Sequence, residues 1–121
     1  MSILFLDDDR KRWAAFHKKY PGAEWAKNSG RAIWLISNNK YKYIFLDGDL
    51  KDGDSGMKVV DIVTKPIVSE NPIEYGPVDT KRIFVVHSTN ILLAMEMLRA
   101  LQDAGCRAMY IPFDYKTWIK P

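Results

Sequence analysis

The chain has 121 residues, of which 47% are hydrophobic and 27% charged, and its formal net charge is +3. This length suits one domain with one hydrophobic core, and the composition is that of a globular protein rather than a disordered or fibrous one. Such a small net charge gives no reason to expect binding to a DNA duplex. The single cysteine, Cys106, excludes an intrachain disulfide bond and a cysteine-rich zinc site.

No part of the sequence has the pattern of a targeting or membrane-spanning segment. The first apolar run, residues 3–6, has no basic region before it and is too short for a signal peptide. No apolar run approaches the length that a membrane-spanning helix needs. We therefore expect a cytoplasmic protein with no membrane partner.

Predicted strands and helices alternate along the whole chain. Short apolar runs rich in β-branched and aromatic residues predict buried strands, and apolar residues at helical spacing predict helices. The strands are expected at residues 3–6, 23–27, 42–46, 82–86 and 107–111, and the helices at residues 9–20, 28–39, after Gly56 and at 90–104. The prolines of residues 66–80 predict an ordered excursion or lid, and a truncated last helix is expected around residues 115–119. This alternation predicts a doubly wound parallel α/β sheet in a single domain that spans residues 1–121.

Three of the predicted strands end in polar residues, which is the most informative feature of the sequence. The polar groups are Asp7-Asp8-Asp9 after the first strand, Asp47-Gly48-Asp49 after the third, and His87-Ser88-Thr89-Asn90 after the fourth. In an open α/β sheet the ligand site lies beyond the carboxyl ends of the strands. We therefore expect these three groups to meet at one edge of the sheet.

The aspartates at the strand ends predict a divalent metal site. Carboxylates that follow a buried strand repel one another unless solvent or a cation compensates for their charge. Oxygen ligands from two strand ends suit Mg²⁺ or Mn²⁺. The expected metal ligands are Asp7, Asp8, Asp47 and Asp49. Asp9 is expected to cap the helix that follows it.

A calcium-binding EF-hand loop is the rival interpretation of the segment that begins at Asp47. The segment fails the EF-hand template, because Lys51 occupies the fifth position and Lys58 stands where the bidentate glutamate belongs. Its glycine also falls at the seventh position instead of the sixth. We therefore expect the remaining acidic residues, Asp52 and Asp54, to lie in turns.

The His-Ser-Thr-Asn segment and the first helix supply candidates for phosphate chemistry. His87 can act as a general acid or base, although a lone histidine is often structural. Ser88 and Asn90 can donate hydrogen bonds to phosphoryl oxygens, and Asn90 can alternatively cap the next helix. Arg12, one turn into the first helix, can reach a phosphate or remain a solvated cation.

These motifs resemble those of receiver domains. Receivers of two-component signalling carry an acidic pair after strand one, an aspartate after strand three and a hydroxyl residue after strand four. This chain departs from them where receivers have a lysine before the proline that ends strand five, because Ile111 precedes Pro112 here. The fuller pattern is Leu6-Asp7-Asp8 with Arg12 and Phe16, Phe45-Leu46-Asp47-x-Asp49-Leu50, Val86-His87-Ser88-x-Asn90 with Met97, and Pro112-Phe113. It resembles the cyclic-phosphate-processing receiver-like family, although Gly48 stands where histidine is frequent, and Ile91 and Leu93 where proline and glycine are common.

The resemblance implies a receiver (flavodoxin-like) sheet of order 2-1-3-4-5 and a metal-assisted reaction on a cyclic phosphate. The implied substrate is a cyclic nucleotide or a 2′,3′-cyclic phosphate end of RNA. In this interpretation the aspartates hold Mg²⁺ or Mn²⁺, His87 moves a proton, and Ser88, Asn90 and Arg12 bind the phosphate. Asp47 is alternatively a covalent nucleophile, the role that receivers give to that position.

Two non-enzymatic interpretations stay open at this point. One is a receiver-like signalling or interaction module, in which Trp13, Trp34 and Trp118 could form an interface and the chain could be a homo-oligomer. The other is a protein that sequesters cyclic nucleotides without cleaving them, with the predicted excursion at residues 66–80 and aromatic side chains as a stacking surface.

Overall fold

A computed structural model of the protein describes residues 2–68 and 82–112. Within these ranges, five β-strands alternate with four α-helices, as the apolar patterns predict. The strands are β1 (Ile3–Leu6), β2 (Glu24–Ala26), β3 (Tyr43–Leu46), β4 (Ile83–Val86) and β5 (Arg107–Tyr110). The helices are α1 (Arg10–Lys19), α2 (Ser29–Asn38), α3 (Met57–Val68) and α4 (Ile91–Asp103), and a 3₁₀ turn covers Lys51–Gly53. None of the helices in the described ranges is both long and apolar enough to cross a membrane.

The five strands form one parallel sheet in the order β2-β1-β3-β4-β5, which confirms the predicted doubly wound architecture. β1, β3 and β4 lie in the middle of this sheet, and their register places Leu6 beside Leu46 and Leu46 beside Val86. The three central strands therefore end level with one another. The residue after each of them, Asp7, Asp47 or His87, stands in the same row at the carboxyl edge.

Two apolar layers cover the two faces of the sheet. On one face, side chains of β1, β3 and β4 pack against α2, α3 and α4, where Ala32, Leu35, Val59, Val60, Ala94, Met97 and Leu101 are buried. On the other face, Phe5 and Phe45 pack against Phe16 of α1. Phe5 and Phe16 stack with ring centroids 4.3 Å apart. Burial on both faces explains the uninterrupted apolar runs of the central strands.

One local prediction needs adjustment. The excursion expected at residues 66–80 starts later, because α3 continues through Pro66 to Val68. A proline close to a helix end removes one hydrogen-bond donor without breaking the preceding turns. Residues 69–80 of the predicted excursion, and the predicted helix at 115–119, lie outside the described residues.

Candidate metal and phosphate site

Three aspartates meet at the carboxyl edge of the central strands. Asp7 follows β1 and Asp47 follows β3, and the backbone N–H of Asp47 donates to the carbonyl of Leu6. Asp7, Asp8 and Asp47 each offer one carboxylate oxygen, and these oxygens all lie within 4.8 Å of one another. Asp7 and Asp47 are buried, with exposures of 0% and 5%, and Asp8 is half-buried. The adjacency of strands one and three thus brings together three of the four predicted metal ligands.

Burial and the neighbouring charges of the cluster disfavour ionisation of Asp47. Burial raises the pKa of Asp47 to about 7, and the negative charge of Asp7 adds to that shift. The Arg12 guanidinium and the N–H of Gly48 act in the opposite direction, since both favour the ionised carboxylate. Three carboxylates carry more negative charge than the single Arg12 guanidinium can offset, and such a dense set of hard oxygen donors is the donor chemistry that Mg²⁺ and Mn²⁺ prefer. The residues present therefore fit such an ion.

Arg12 is directed into this cluster from α1. Its Nε donates to Oδ2 of Asp7 at 2.8 Å, and one terminal nitrogen donates to Oδ1 of Asp7 at 2.9 Å. The same nitrogen lies 3.4 Å from Oδ2 of Asp47 and 3.8 Å from Oδ1 of Asp8. These contacts raise the pKa of the guanidinium further above its ordinary value. In this arrangement Arg12 is the counter-ion of the cluster, and its side chain is 25% exposed.

Asp49 and Asn90 form a separate pair. The Asn90 side-chain amide donates to Oδ2 of Asp49 at 2.9 Å, and its Oδ1 accepts from the N–H of Leu93 as the N-cap of α4. Asp49 is exposed and does not join the group of carboxylates that the described residues bring together. The structure therefore does not place the fourth predicted ligand with the other three. The capping role considered for Asn90 is confirmed.

The remaining acidic residues near the edge have local roles. Asp9 is the N-cap of α1, where its Oδ1 accepts from the N–H groups of Lys11 and Arg12. These hydrogen bonds lower the pKa of Asp9. Asp52 lies in the 3₁₀ turn at a φ of 61°, and Asp54 accepts hydrogen bonds from the N–H and Oγ of Ser29. The cap and turn roles predicted for these residues are confirmed.

His87 is at the site edge but its ring belongs to the core. The residue is 2% exposed, and its imidazole stacks on Phe5 with centroids 5.1 Å apart and planes 3° from parallel. Nε2 lies 3.2 Å from the carbonyl oxygen of Leu6, which requires the proton on that nitrogen, and Nδ1 lies 3.7 Å from Oδ2 of Asp7. Burial, with a further contribution from Arg12, lowers the pKa of His87 to about 3. The ring is therefore neutral at physiological pH.

Ser88 is packed between two strand-end loops. It is buried, its Oγ accepts from the N–H of Asn90, and its carbonyl accepts from the hydroxyl of Tyr110 in β5. A Cβ atom on Gly48 would lie 2.6 Å from Ser88 Oγ and 2.9 Å from Leu93 Cδ2. The missing side chain at Gly48 thus allows Ser88 to approach the loop that carries Asp47.

Several residues that shape the site were not predicted from the sequence. The indole N–H of Trp25, in β2, donates to the carbonyl of Asp7 at 2.8 Å, and its ring stacks on Trp13. Tyr110 fixes the loop of Ser88, and Phe5 supports the ring of His87. Trp25 and Phe5 occupy paired positions of β1 and β2, so strand register alone could have indicated that both lie close to the site.

The place of the receiver lysine is apolar in the structure, as the sequence predicts. The N–H of Ile111 extends the pairing of β4 and β5 by donating to the carbonyl of Val86. Its partly buried side chain packs against the apolar layer that contains Phe5 and Phe45. An aliphatic group there cannot neutralise a phosphoryl oxygen.

Comparison with known structures shows the same architecture in receiver domains. The receiver domain of HemR from Leptospira biflexa is 23% identical, with a TM-score of 0.65 over 92% of this chain and 80% of that chain. A CheY-like receiver domain from Methylobacillus flagellatus is 19% identical, with a TM-score of 0.59 over 95% of this chain and 89% of that one. A response regulator from Burkholderia pseudomallei, solved with a phosphorylated aspartic acid, a calcium ion and citrate, is 15% identical, with a TM-score of 0.63 over 95% of this chain and 62% of that one. At these identities the similarity shows the fold alone.

Sequence comparison shows which family the chain belongs to. No curated protein matches the chain. The family model described as the cyclic-phosphate processing receiver domain, however, matches residues 2–103, which include all the strand-end residues of β1, β3 and β4 discussed above. With its receiver sheet and its cluster of strand-end aspartates, the chain belongs to the cyclic-phosphate-processing receiver domain family.

Proposed function

We propose that this domain is a metal-dependent phosphoesterase that opens a cyclic phosphate, either of a cyclic nucleotide or of a 2′,3′-cyclic phosphate end of RNA. One observation carries the proposal. Asp7, Asp8 and Asp47 offer oxygens within 4.8 Å of one another at the carboxyl edge of the sheet, in a family described as processing cyclic phosphates. A response regulator of the same fold was solved with a calcium ion and a phosphorylated aspartic acid.

The three aspartates would hold Mg²⁺ or Mn²⁺ in the proposed enzyme. The bound ion would polarise a phosphoryl oxygen and offset the charge that develops in the transition state. Arg12 and Ser88 are the proposed phosphate-binding groups, and Asn90 is proposed to assist from the first turn of α4, where free N–H groups favour anions. Asp49 would orient the Asn90 side chain by accepting the hydrogen bond from its amide group.

The reaction requires one proton to move from water to the leaving ribose oxygen, while a new P–O bond forms and the ring P–O bond breaks. His87 is the proposed group for this transfer. Because the imidazole is neutral above a pKa of about 3, it can accept the proton of water but cannot begin the reaction as an imidazolium acid. A nucleophilic Asp47 would instead form an acyl phosphate that water then hydrolyses.

The burial of His87 favours a second candidate, a protein that binds a cyclic nucleotide without cleaving it. A ring that is 2% exposed, and whose pKa is about 3, is a weak base with little access to substrate. In this case the aspartates and a bound cation would hold the phosphate, and no bond would break.

Incubation with a panel of cyclic mono-, di- and oligonucleotides and of RNA 2′,3′-cyclic ends would separate these candidates. The protein would be assayed with Mn²⁺, with Mg²⁺ and with EDTA. Metal-dependent turnover that is lost in Asp8→Asn, but kept in the exposed control Asp61→Asn, supports the enzyme. Recovery of intact bound ligand supports the sequestering protein. If no substrate is cleaved and none is retained, the domain is a receiver-like signalling or interaction module.

A further inference from the structure

We propose that Arg12 and the divalent cation compete for the same aspartates. On binding, the cation displaces the Arg12 guanidinium from Asp7 and Asp47, and the released guanidinium then binds the phosphate of the ligand. This inference rests on the proposed function, because it describes how the same site would be loaded. It predicts an order of binding in which the cation comes first and the anion second.

The competition follows from the atoms that Arg12 uses. Its guanidinium engages both carboxylate oxygens of Asp7, at 2.8 and 2.9 Å, and it also contacts Asp47 at 3.4 Å. A cation bound by Asp7, Asp8 and Asp47 needs oxygens from this same set. Because two positive charges cannot share these oxygens at such distances without strong repulsion, the guanidinium and the cation exclude each other.

The surroundings allow Arg12 to leave while the carboxylates stay. The Arg12 side chain is 25% exposed, whereas that of Asp7 is completely buried. The backbone of α1 is held by the cap at Asp9, so only the long arginine side chain has to turn. Asp7 is also fixed by its own hydrogen bond, in which Oδ1 accepts from the N–H of Asp9. The counter-ion therefore has a path to solvent, whereas Asp7 is enclosed.

The released group would have a defined destination. A guanidinium binds a phosphate through two parallel N–H···O bonds, the same geometry that it uses with Asp7. Once the cation has neutralised the aspartates, an arginine at the rim of the cluster faces the anion that the cation attracts. Cation and phosphate should then bind with positive coupling, and the coupling must be reciprocal.

The test compares Arg12→Gln with Arg10→Gln, both measured by calorimetric titration with MnCl₂ alone. Both substitutions remove one positive charge from the first turn of α1, but the exposed Arg10 is the control for long-range electrostatics. We expect Arg12→Gln to bind Mn²⁺ at least about tenfold more tightly than the wild type, about 1.4 kcal/mol. Arg10→Gln should change the affinity by less than about twofold, since an exposed charge is screened.

A second titration uses inorganic phosphate. In the wild type, saturating Mn²⁺ should raise the affinity for phosphate by at least about fivefold, within the usual range of coupling between sites. In Arg12→Gln this gain should be several-fold smaller, because the released guanidinium is missing. Arg12→Lys keeps the charge but loses the fork, and it should fall between the other two proteins. It also serves as the second variant if Arg12→Gln is too unstable to titrate without metal.

The outcomes separate the inference from the proposed function. Equal Mn²⁺ affinity in the wild type and both Arg12 variants would overturn the inference while leaving the metal site intact, because Arg12 would then stay on Asp7 beside the ion. Tighter Mn²⁺ binding by Arg12→Gln in a protein that neither cleaves nor retains any cyclic phosphate would support the inference and sink the proposed function. Absence of Mn²⁺ binding in all variants would overturn both.

Discussion

His87 and Asp47 stand next to each other at the strand ends, and burial shifts their pKa values in opposite directions. The pKa of His87 falls to about 3, and that of Asp47 rises to about 7. The ordinary pKa values are 3.8 for aspartate and 6.5 for histidine. At a pH between these two values, the unfolded chain carries a proton at His87 that the folded protein lacks. The folded protein gains one at Asp47 that the unfolded chain lacks. Their effects on the pH dependence of stability therefore oppose each other.

Replacing His87 should remove one of these effects. A group with a depressed folded pKa contributes stability that is present above its unfolded pKa, here 6.5, and lost as the pH falls toward 3. Relative to His87→Leu, the wild type should lose about 1.4 kcal/mol of unfolding free energy per pH unit below pH 6.5. Urea unfolding in EDTA at several pH values measures this. The control is His17→Leu, at the exposed histidine of α1, and equal slopes in the two variants would show that His87 binds protons equally in the folded and unfolded states.

Replacing Asp47 should have the opposite sign. A group with a raised folded pKa contributes stability that is present below its unfolded pKa of 3.8 and lost as the pH rises through about 7. At pH 8 in EDTA, Asp47→Asn should therefore be more stable than the wild type by about 1–3 kcal/mol, and at pH 5 the gain should shrink. The exposed control Asp61→Asn should show no such pH-dependent gain. A loss of stability in Asp47→Asn at pH 8 would mean that the ionised carboxylate is better compensated than its burial indicates.

At the scale of elements, the loop after β3 and the loop after β4 determine each other's position. Ser88 occupies the space that a side chain on Gly48 would need, and the N–H of Gly56 donates to the carbonyl of Gly48 at 2.7 Å. A Cβ atom on Gly56 would lie 1.9 Å from the carbonyl oxygen of Asp47. Two glycines thus let the start of α3 and the loop of β4 close around the backbone that presents Asp47.

A methyl group at Gly48 should separate these loops. Its carbon would lie 2.6 Å from Ser88 Oγ, so Ser88 and Leu93 would have to move. We expect Gly48→Ala to lower the unfolding free energy by about 1–3 kcal/mol, as overpacking usually does. Gly22→Ala is the matched control, because nothing lies within 4 Å of the added carbon there, and it should change stability by less than about 0.5 kcal/mol. Similar stability of the two variants would contradict the close packing of Ser88 on Gly48.

For the whole molecule, the sequence predicted the sheet and the row of strand ends better than the contacts made there. Buried parallel strands require continuous apolar runs, and the level ends of β1, β3 and β4 follow from the strand order. Arg12 pairs with Asp7, and Asp49 pairs with Asn90 instead of joining the other aspartates. Both contacts depend on side-chain conformations, which spacing along the chain does not specify. The burial of His87, which follows β4, depends on Phe5 of β1, two strands away in the sheet, and no local pattern reveals that contact.

The chain has the aspartates that receivers carry after strands one and three, but it lacks the lysine that receivers carry at the end of strand five. In a receiver, that lysine contacts the phosphoryl group and links phosphorylation to a conformational change. Here the corresponding Ile111 extends the sheet and packs against apolar side chains. Among the residues that the structure describes, Arg12 is the cation that contacts Asp47, and it approaches from α1 rather than from β5. A phosphoryl group on Asp47 would therefore lack the lysine that, in receivers, stabilises it and links it to the conformational change.

We accordingly expect treatment with small phosphodonors and Mg²⁺ to leave no long-lived acyl phosphate on Asp47. Any adduct should decay before it accumulates, because Ile111 can neither donate a hydrogen bond to the phosphoryl oxygens nor neutralise their charge. Intact-mass spectrometry before and after treatment measures this directly, and Asp47→Asn identifies the site of any adduct that does form. Ile111→Lys is the complementary variant, and it should lengthen the lifetime of the adduct if the missing amine is the cause. A persistent adduct in the wild type that disappears in Asp47→Asn would favour a phosphorylation-dependent signalling module over a phosphoesterase.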